Sequence, residues 1–483
     1  MAESSTAESS MAESSTAESS TAGSLTAGSP TAGQPAGGGR IIVRGGTVVD
    51  AAGVREADVV VAGGWIEAVG PGLVAPAGAT VLDAGGCLVG PGLVDLHTHL
   101  RQPGREEAET IETGARAAAL GGFTAVVAMP NTEPATDCAA VVRQVLELGR
   151  EAMVEVAVAA AITVGRRGER LSPMAELAAL GVHLFTDDGA GVQDGALMRR
   201  ALDYARGLGV TLAQHCEDER LAAGGAMHEG AWSSRLGLPG IPAAAEEAMV
   251  ARDLALVALT GARLHFLHLS TAGSIDLVRA AKAQGLPVSA EAAPHHFFLT
   301  DAEVAGFDPV YKVNPPLRTA GDVAAVRRGL ADGTVDAVAT DHAPHPPEAK
   351  DLPFDQAPPG MLGLQTALSV TYGALCAPGA GPADGPRLGP QELFALLSWR
   401  PAVIAGLDAP SGPDGHSAQG GPLVPGAPAN LCVFDPTATY VFDPGSLASR
   451  SRNTPFAGRE LRGRVRHTVS RGKPVVIDGL PQR

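Results

Sequence analysis

The chain has 483 residues, 45% of them hydrophobic, and a formal net charge of −16 at neutral pH. That length holds one large domain or two ordinary ones with ample core. The acidic balance excludes a nucleic-acid surface, which needs a basic stripe, and disfavours docking on anionic lipid, so a small-molecule partner fits better.

Residues 1–39 repeat Ala-Glu-Ser-Ser and Thr-Ala-Gly units with almost no side chain able to build a core, and a disordered low-complexity leader is expected there. It lacks the basic and apolar regions of a secretory signal. From residue 40 to 90, short β-branched runs such as Ile41-Ile42-Val43 and Val59-Val60-Val61 alternate with glycine-rich turns. The same texture returns over residues 414–483, in Leu431-Cys432-Val433-Phe434 and Pro474-Val475-Val476-Ile477. The two ends are expected to pair into one small β-sandwich.

Between them, over residues 91–413, eight apolar strand-like runs alternate with Ala- and Leu-rich amphipathic stretches such as Glu106 to Leu120. The runs are Leu93–Leu100, Phe123–Pro130, Val154–Thr163, Gly181–Asp188, Thr211–Glu217, Arg263–Ser270, Pro287–His296 and Val335–His345. This rhythm predicts an α/β fold, a (β/α)8 barrel whose site sits where the strands end.

The strand ends carry chemistry. The first ends in His97 and His99, whose i, i+2 spacing on a strand turns both side chains to one face, where they can hold one metal ion. The second ends in Asn131, the fourth in Asp187 and Asp188, the fifth in His215, the sixth in His268 and the eighth in Asp341, while the third and seventh lack an obvious ligand. Histidine or carboxylate at five strand ends supplies enough nitrogen and oxygen ligands for two divalent ions, zinc being the natural choice. Two close metals bridged by a carboxylate lower the pKa of a shared water, which is hydrolytic chemistry. Asp341 suits the general base that then protonates a leaving nitrogen.

The five cysteines are scattered without CxxC spacing, as expected of reduced thiols in a cytoplasmic protein. The longest apolar stretch, Met153 to Val164, is too short to cross a bilayer.

The segments Asp95-Leu96-His97-Thr98-His99-Leu100-Arg101-Gln102-Pro103-Gly104, Ala128-Met129-Pro130-Asn131-Thr132, Phe185-Thr186-Asp187-Asp188-Gly189, Lys312-Val313-Asn314-Pro315-Pro316-Leu317-Arg318, Thr340-Asp341-His342-Ala343-Pro344-His345 and Ser449 to Phe456 together resemble the dihydroorotases, of the long bacterial type within the amidohydrolase superfamily. The resemblance runs from about residue 41 to the end. Hydantoinases and allantoinases look similar but bridge their metals with a carboxylated lysine on the fourth strand. Here the lysines are Lys282, Lys312, Lys350 and Lys473, none of them near residues 181–188.

The resemblance implies a zinc enzyme that interconverts N-carbamoyl-L-aspartate and L-dihydroorotate, the third step of pyrimidine synthesis. It implies one ion on His97, His99, Asp188 and Asp341 and a second on Asp188, His215 and His268, with Asp188 as the bridge and Asp187 in a supporting position. Arg101, two residues beyond His99 on the same strand face, is expected to fork onto the substrate carboxylate with Asn131 and His345. Asn314 and the backbone at Pro359 and Gly360 are expected to hold the ring, and residues 345–361 to cover it. His295-His296 is read as structural packing at the end of a strand. A homo-oligomer, and a complex with aspartate carbamoyltransferase, are further implications, with no nucleic-acid or membrane partner. An inactive scaffold for that transferase is the rival class, and it would be expected to lose the metal ligands that this chain retains.

Overall fold

The computed structural model describes residues 39–380, 387–409 and 418–482. The leader expected at 1–39 lies outside them except for its last residue, and so does the expected boundary at 413/414.

Eight parallel strands form one sheet in sequence order: β1 (Leu93–Thr98), β2 (Phe123–Ala128), β3 (Glu155–Ala160), β4 (Leu184–Thr186), β5 (Thr211–Gln214), β6 (Leu264–Phe266), β7 (Val288–Ala292) and β8 (Ala337–Val338). Each strand falls inside one of the eight apolar runs. The ring closes through a parallel bridge between Thr98 and His342, where the His99 amide donates to the His342 carbonyl at 2.9 Å. Lower down, the Asp95 carboxylate of β1 accepts from the amide and hydroxyl of Thr340. The fold is therefore the (β/α)8 barrel.

Helices cover the sheet because their apolar positions fall on one face. Helix α1 (Ile111–Leu120) buries Ile111, Ala115, Ala118 and Ala119, and starts at Thr110, whose side chain accepts from the Thr113 amide. It begins later than the stretch from Glu106, because residues 101–109 run as a loop that carries Arg101 to the barrel mouth. A core of mostly small residues from around the ring, including Val94, Leu96, Ala125, Ala159, Leu184, Ala213, Leu267 and Ala337, packs with Ala402 and Ala405 of the helix Arg400–Ala405.

The chain ends join in a second, nine-stranded sheet, in which Leu431–Phe434 runs antiparallel to Leu88–Pro91. Its own core draws Val48, Val59, Val61, Ile66, Leu82 and Val89 from the N-terminal part and Leu431, Val433 and Val469 from the C-terminal part. The strand Leu88–Pro91 leads directly into β1, so this sheet anchors the strand that carries His97. Among the described residues no helix is long and apolar enough to cross a membrane, and all five cysteines are free thiols.

Candidate active site

Six side chains from five strand ends meet at the carboxyl end of the barrel, all at most 6% exposed. Asp188 lies at their centre. Its Oδ1 is 3.3 Å from His97 Nε2, 3.5 Å from His215 Nδ1 and 3.5 Å from His268 Nε2, while its Oδ2 is 3.5 Å from His99 Nε2. Asp341 Oδ1 is 3.2 Å from His99 Nε2 and 3.6 Å from His97 Nε2. His215 Nδ1 and His268 Nε2 are 3.0 Å apart. Two ligand groups stand out, His97 with Asp188 and His268, and His97 with His99 and Asp341.

The donor set fits a divalent cation. His97 Nδ1 donates to the Glu291 carboxylate at 2.9 Å, so in the neutral ring Nε2 carries a lone pair. That Nε2 is buried without a hydrogen-bond partner and faces the oxygens of Asp188 and Asp341. A buried lone pair opposite two carboxylates is electrostatically unfavourable unless a cation or proton stands between them. The electrostatics agree. Burial opposes charge on His97, yet Asp188, Glu291 and Asp341 raise its imidazole well above the ordinary range. Burial likewise opposes ionisation of Asp188 and Asp341, yet the surrounding imidazoles hold both carboxyls below theirs.

Backbone strain marks the same place. Arg101, His268 and Asp341 are non-glycine residues with φ of 60°, 31° and 47°. Such conformations cost on the order of 1–3 kcal/mol each and persist where the surroundings over-determine them. The strain aims these side chains away from the directions that strand alternation would give. Arg101 reaches the mouth from this left-handed loop position beyond the end of β1, not from the strand face expected of it. Its Nε donates to the Pro344 carbonyl at 3.2 Å, and burial, with Arg105 second, lowers its pKa to about 10, so it stays charged at neutral pH.

The other expected substrate groups lie at the rim with partners of their own. Asn131 Oδ1 accepts from His99 Nδ1 at 2.8 Å. His345 Nε2 donates to the Pro359 carbonyl at 2.8 Å, and burial, then Arg101 and Lys350, lowers its pKa to about 3, so it is neutral. A Cβ at Gly360, where φ is +144°, would lie 2.7 Å from His345 Nε2, so the close approach of this backbone requires glycine. Asn314 Nδ2 donates to Glu217 at 3.1 Å, which leaves its buried Oδ1 without a partner. Residues 345–361 are tied down by Lys350, whose Nζ donates to the carbonyls of Pro309, Lys312 and Pro358.

Supporting residues complete the site. Asp187 accepts from the Thr163 amide at 3.0 Å and from its hydroxyl, which joins β4 to the segment after β3. Arg166 donates to the Asp188 carbonyl at 2.6 Å. His295 and His296 fall on a short helix, Pro294–Phe298, not at a strand end; His296 Nε2 donates to the Pro315 carbonyl at 2.9 Å. Sequence reasoning missed Glu291, on one of the two strands it left without a ligand, and Asn453, whose side chain donates to the carbonyls of Ala343 and Gly360. The available signal for Glu291 was an acidic residue inside an otherwise small and apolar strand.

Known proteins resemble the chain over most of its length. The dihydro-orotase-like family model matches residues 86–274. The dihydroorotase of Pelotomaculum thermopropionicum is 49% identical over 441 residues, covering 91% of this chain and 99% of that protein. The dihydroorotase of Mycobacterium tuberculosis is 49% identical over 428 residues, covering 88% and 96%. The solved L-hydantoinase (dihydropyrimidinase) of Arthrobacter aurescens shares the fold, with a TM-score of 0.79 and 24% identity over 92% of this chain and 97% of its own. On the identity and coverage of these relatives, the chain belongs to the dihydroorotase family.

Proposed function

We propose that the chain is a dihydroorotase, a cyclic amide hydrolase that interconverts N-carbamoyl-L-aspartate and L-dihydroorotate in pyrimidine synthesis. The observation that carries its hydrolytic chemistry is the buried lone pair of His97 Nε2, set opposite Asp188 and Asp341. His97, His99, Asp188 and Asp341 would hold one Zn2+, and Asp188, His215 and His268 a second. Bound there, the ions would polarise the amide carbonyl and lower the pKa of water.

The chain's own groups do the rest. In ring opening the Asp341 carboxylate takes the proton of the attacking water and returns it to the departing ring nitrogen; in cyclisation the same transfer runs backwards. The Arg101 guanidinium binds the substrate carboxylate, the Asn131 side-chain N–H completes that subsite, and His345 joins it only by turning its single N–H from the Pro359 carbonyl to the carboxylate. The unpartnered Asn314 Oδ1 suits a ring N–H, and the backbone at Pro359 and Gly360 borders the ring. One buried cation beside these neutral polar groups matches a monocarboxylated cyclic amide better than an uncharged hydantoin.

A cytoplasmic location, supported by the five free thiols, belongs to the same reading. So do self-association and a complex with aspartate carbamoyltransferase, which rest on the family resemblance and which size-exclusion of the separate and mixed proteins would test.

The deciding experiment assays dihydroorotate hydrolysis and carbamoyl-aspartate cyclisation on metal-quantified protein, with Asp341→Ala alongside. Activity in both directions, lost by a factor of about 10² to 10⁴ in the variant, is expected. Faster turnover of hydantoin or dihydrouracil than of dihydroorotate would overturn the assignment.

A further inference from the structure

Glu291 is a fully buried carboxylate in direct contact with a candidate ligand, His97. It lies on β7, is 0% exposed, and has both oxygens engaged. Oε1 accepts from His97 Nδ1 at 2.9 Å, and Oε2 accepts from His265 Nε2 at 3.0 Å. His265, on β6, lies within 2.8 Å of Ser289 Oγ through its Nδ1. With Nε2 protonated toward Glu291, the His265 Nδ1 is the acceptor and the serine hydroxyl the donor. The chain Ser289, His265, Glu291, His97 therefore has one consistent set of protons, and it ends on the unpartnered His97 Nε2.

We infer that Glu291 is a positioning residue that fixes the His97 tautomer and ring plane, so that Nε2, not Nδ1, is the atom offered to the metal. Three features carry this. A carboxylate accepts only, so it selects the Nδ1–H tautomer; a neutral amide could turn and offer N–H to Nδ1, forcing the proton onto Nε2 and closing the ligand atom. The second oxygen is held by His265, so the carboxylate cannot rotate away. The relay crosses β1, β6 and β7, which ties the only histidine present in both of those ligand groups to a strand that itself supplies no ligand. Partners of this kind typically affect metal affinity by about 10- to 100-fold.

The inference rests on the reading of His97 as a metal ligand, and the test separates the two. Apparent Zn2+ affinity is measured by chelator competition on metal-stripped wild type, Glu291→Gln, Glu291→Asp and His265→Gln, without substrate, and visible spectra of the Co2+-loaded proteins are compared. Glu291→Gln is expected to keep the fold by circular dichroism and to lose about 10- to 100-fold in affinity, with a changed Co2+ spectrum. Glu291→Asp, which keeps an acceptor, recovers part of the loss. His265→Gln, which frees the far oxygen, shows a smaller loss and serves the test alone if the Glu291 variants do not fold. Wild-type affinity and spectrum in every folded variant would overturn the positioning role while leaving the metal reading intact. A wild-type protein that binds no Zn2+ would overturn the metal reading first and this role with it.

Discussion

Asn131 Oδ1 lies 2.8 Å from His99 Nδ1, so the amide at the end of β2 holds the second imidazole of β1 with its Nε2 toward Asp341. The residue expected to touch substrate thus also orients a candidate ligand. Replacing it should disturb both roles. In Asn131→Ala, Zn2+ affinity is expected to fall by about tenfold or more, and KM for dihydroorotate to rise. Asn131→Asp keeps the acceptor for His99 but brings a negative charge to the substrate carboxylate, so it should retain metal and lose substrate affinity. Equal metal affinity in all three proteins, measured by chelator competition, would remove the orienting role.

Arg101 is 7% exposed and uses Nε on the Pro344 carbonyl, which leaves the terminal nitrogens for a ligand. Arg101→Lys keeps the charge but loses the planar fork. A hydrogen bond to a charged group is worth about 1.5–3 kcal/mol, so KM should rise about 10- to 100-fold with a smaller change in kcat. Steady-state kinetics in both directions decide this, and an unchanged KM would move the carboxylate subsite elsewhere.

Much of this site was legible because metal chemistry restricts residue types. His97, His99, Asp188, His215, His268 and Asp341 each close an apolar run, and the period of those runs placed all six at one barrel end. Partners that act through another side chain leave no such signal. Glu291 sits in a strand whose neighbours are alanines, and only the structure shows that His97 and His265 converge on it. Arg101 was expected on the strand face beside His99, yet a left-handed φ carries it to the mouth. Periodicity assumes regular dihedrals and fails where the backbone is strained.

Lys350 ties the segment before Asn314 to the one that carries Pro359 and Gly360, through carbonyls at 3.0, 3.2 and 2.8 Å. Burial, with Lys312 second and Asp308 opposing, lowers its pKa to about 7. As pH rises through that value the amine loses a proton and one of three donors. Wild-type KM should therefore climb from pH 6 to 8. Lys350→Met, without any donor, should have a KM raised roughly tenfold and flat across that range. A wild-type KM that does not respond to pH would mean that the two segments hold their places without this clamp.

Asp253 tests how a buried charge behind the barrel sets stability. It lies on the helix Ala244–Thr260, is 0% exposed, and accepts from Arg252 Nε at 2.8 Å and Gln214 Nε2 at 2.9 Å. Gln214 precedes His215, so this contact supports a strand end that carries a candidate ligand. Burial raises the Asp253 carboxyl from 3.8 to about 6, with Arg252 and Gln214 opposing. The folded chain therefore holds this proton more tightly than the unfolded chain does. The resulting stabilisation is full below pH 3.8 and is lost as pH rises through about 6. The shift corresponds to roughly 3 kcal/mol. Asp253→Asn removes the titration, although its amide must face one of the two donors, which costs about 1–3 kcal/mol at every pH. Only the pH dependence is diagnostic. Between pH 4 and 7 the wild type should lose up to about 3 kcal/mol relative to the variant, read from urea midpoints at each pH. Parallel curves would show that Asp253 remains ionised in the fold, stabilised by Arg252 despite its burial.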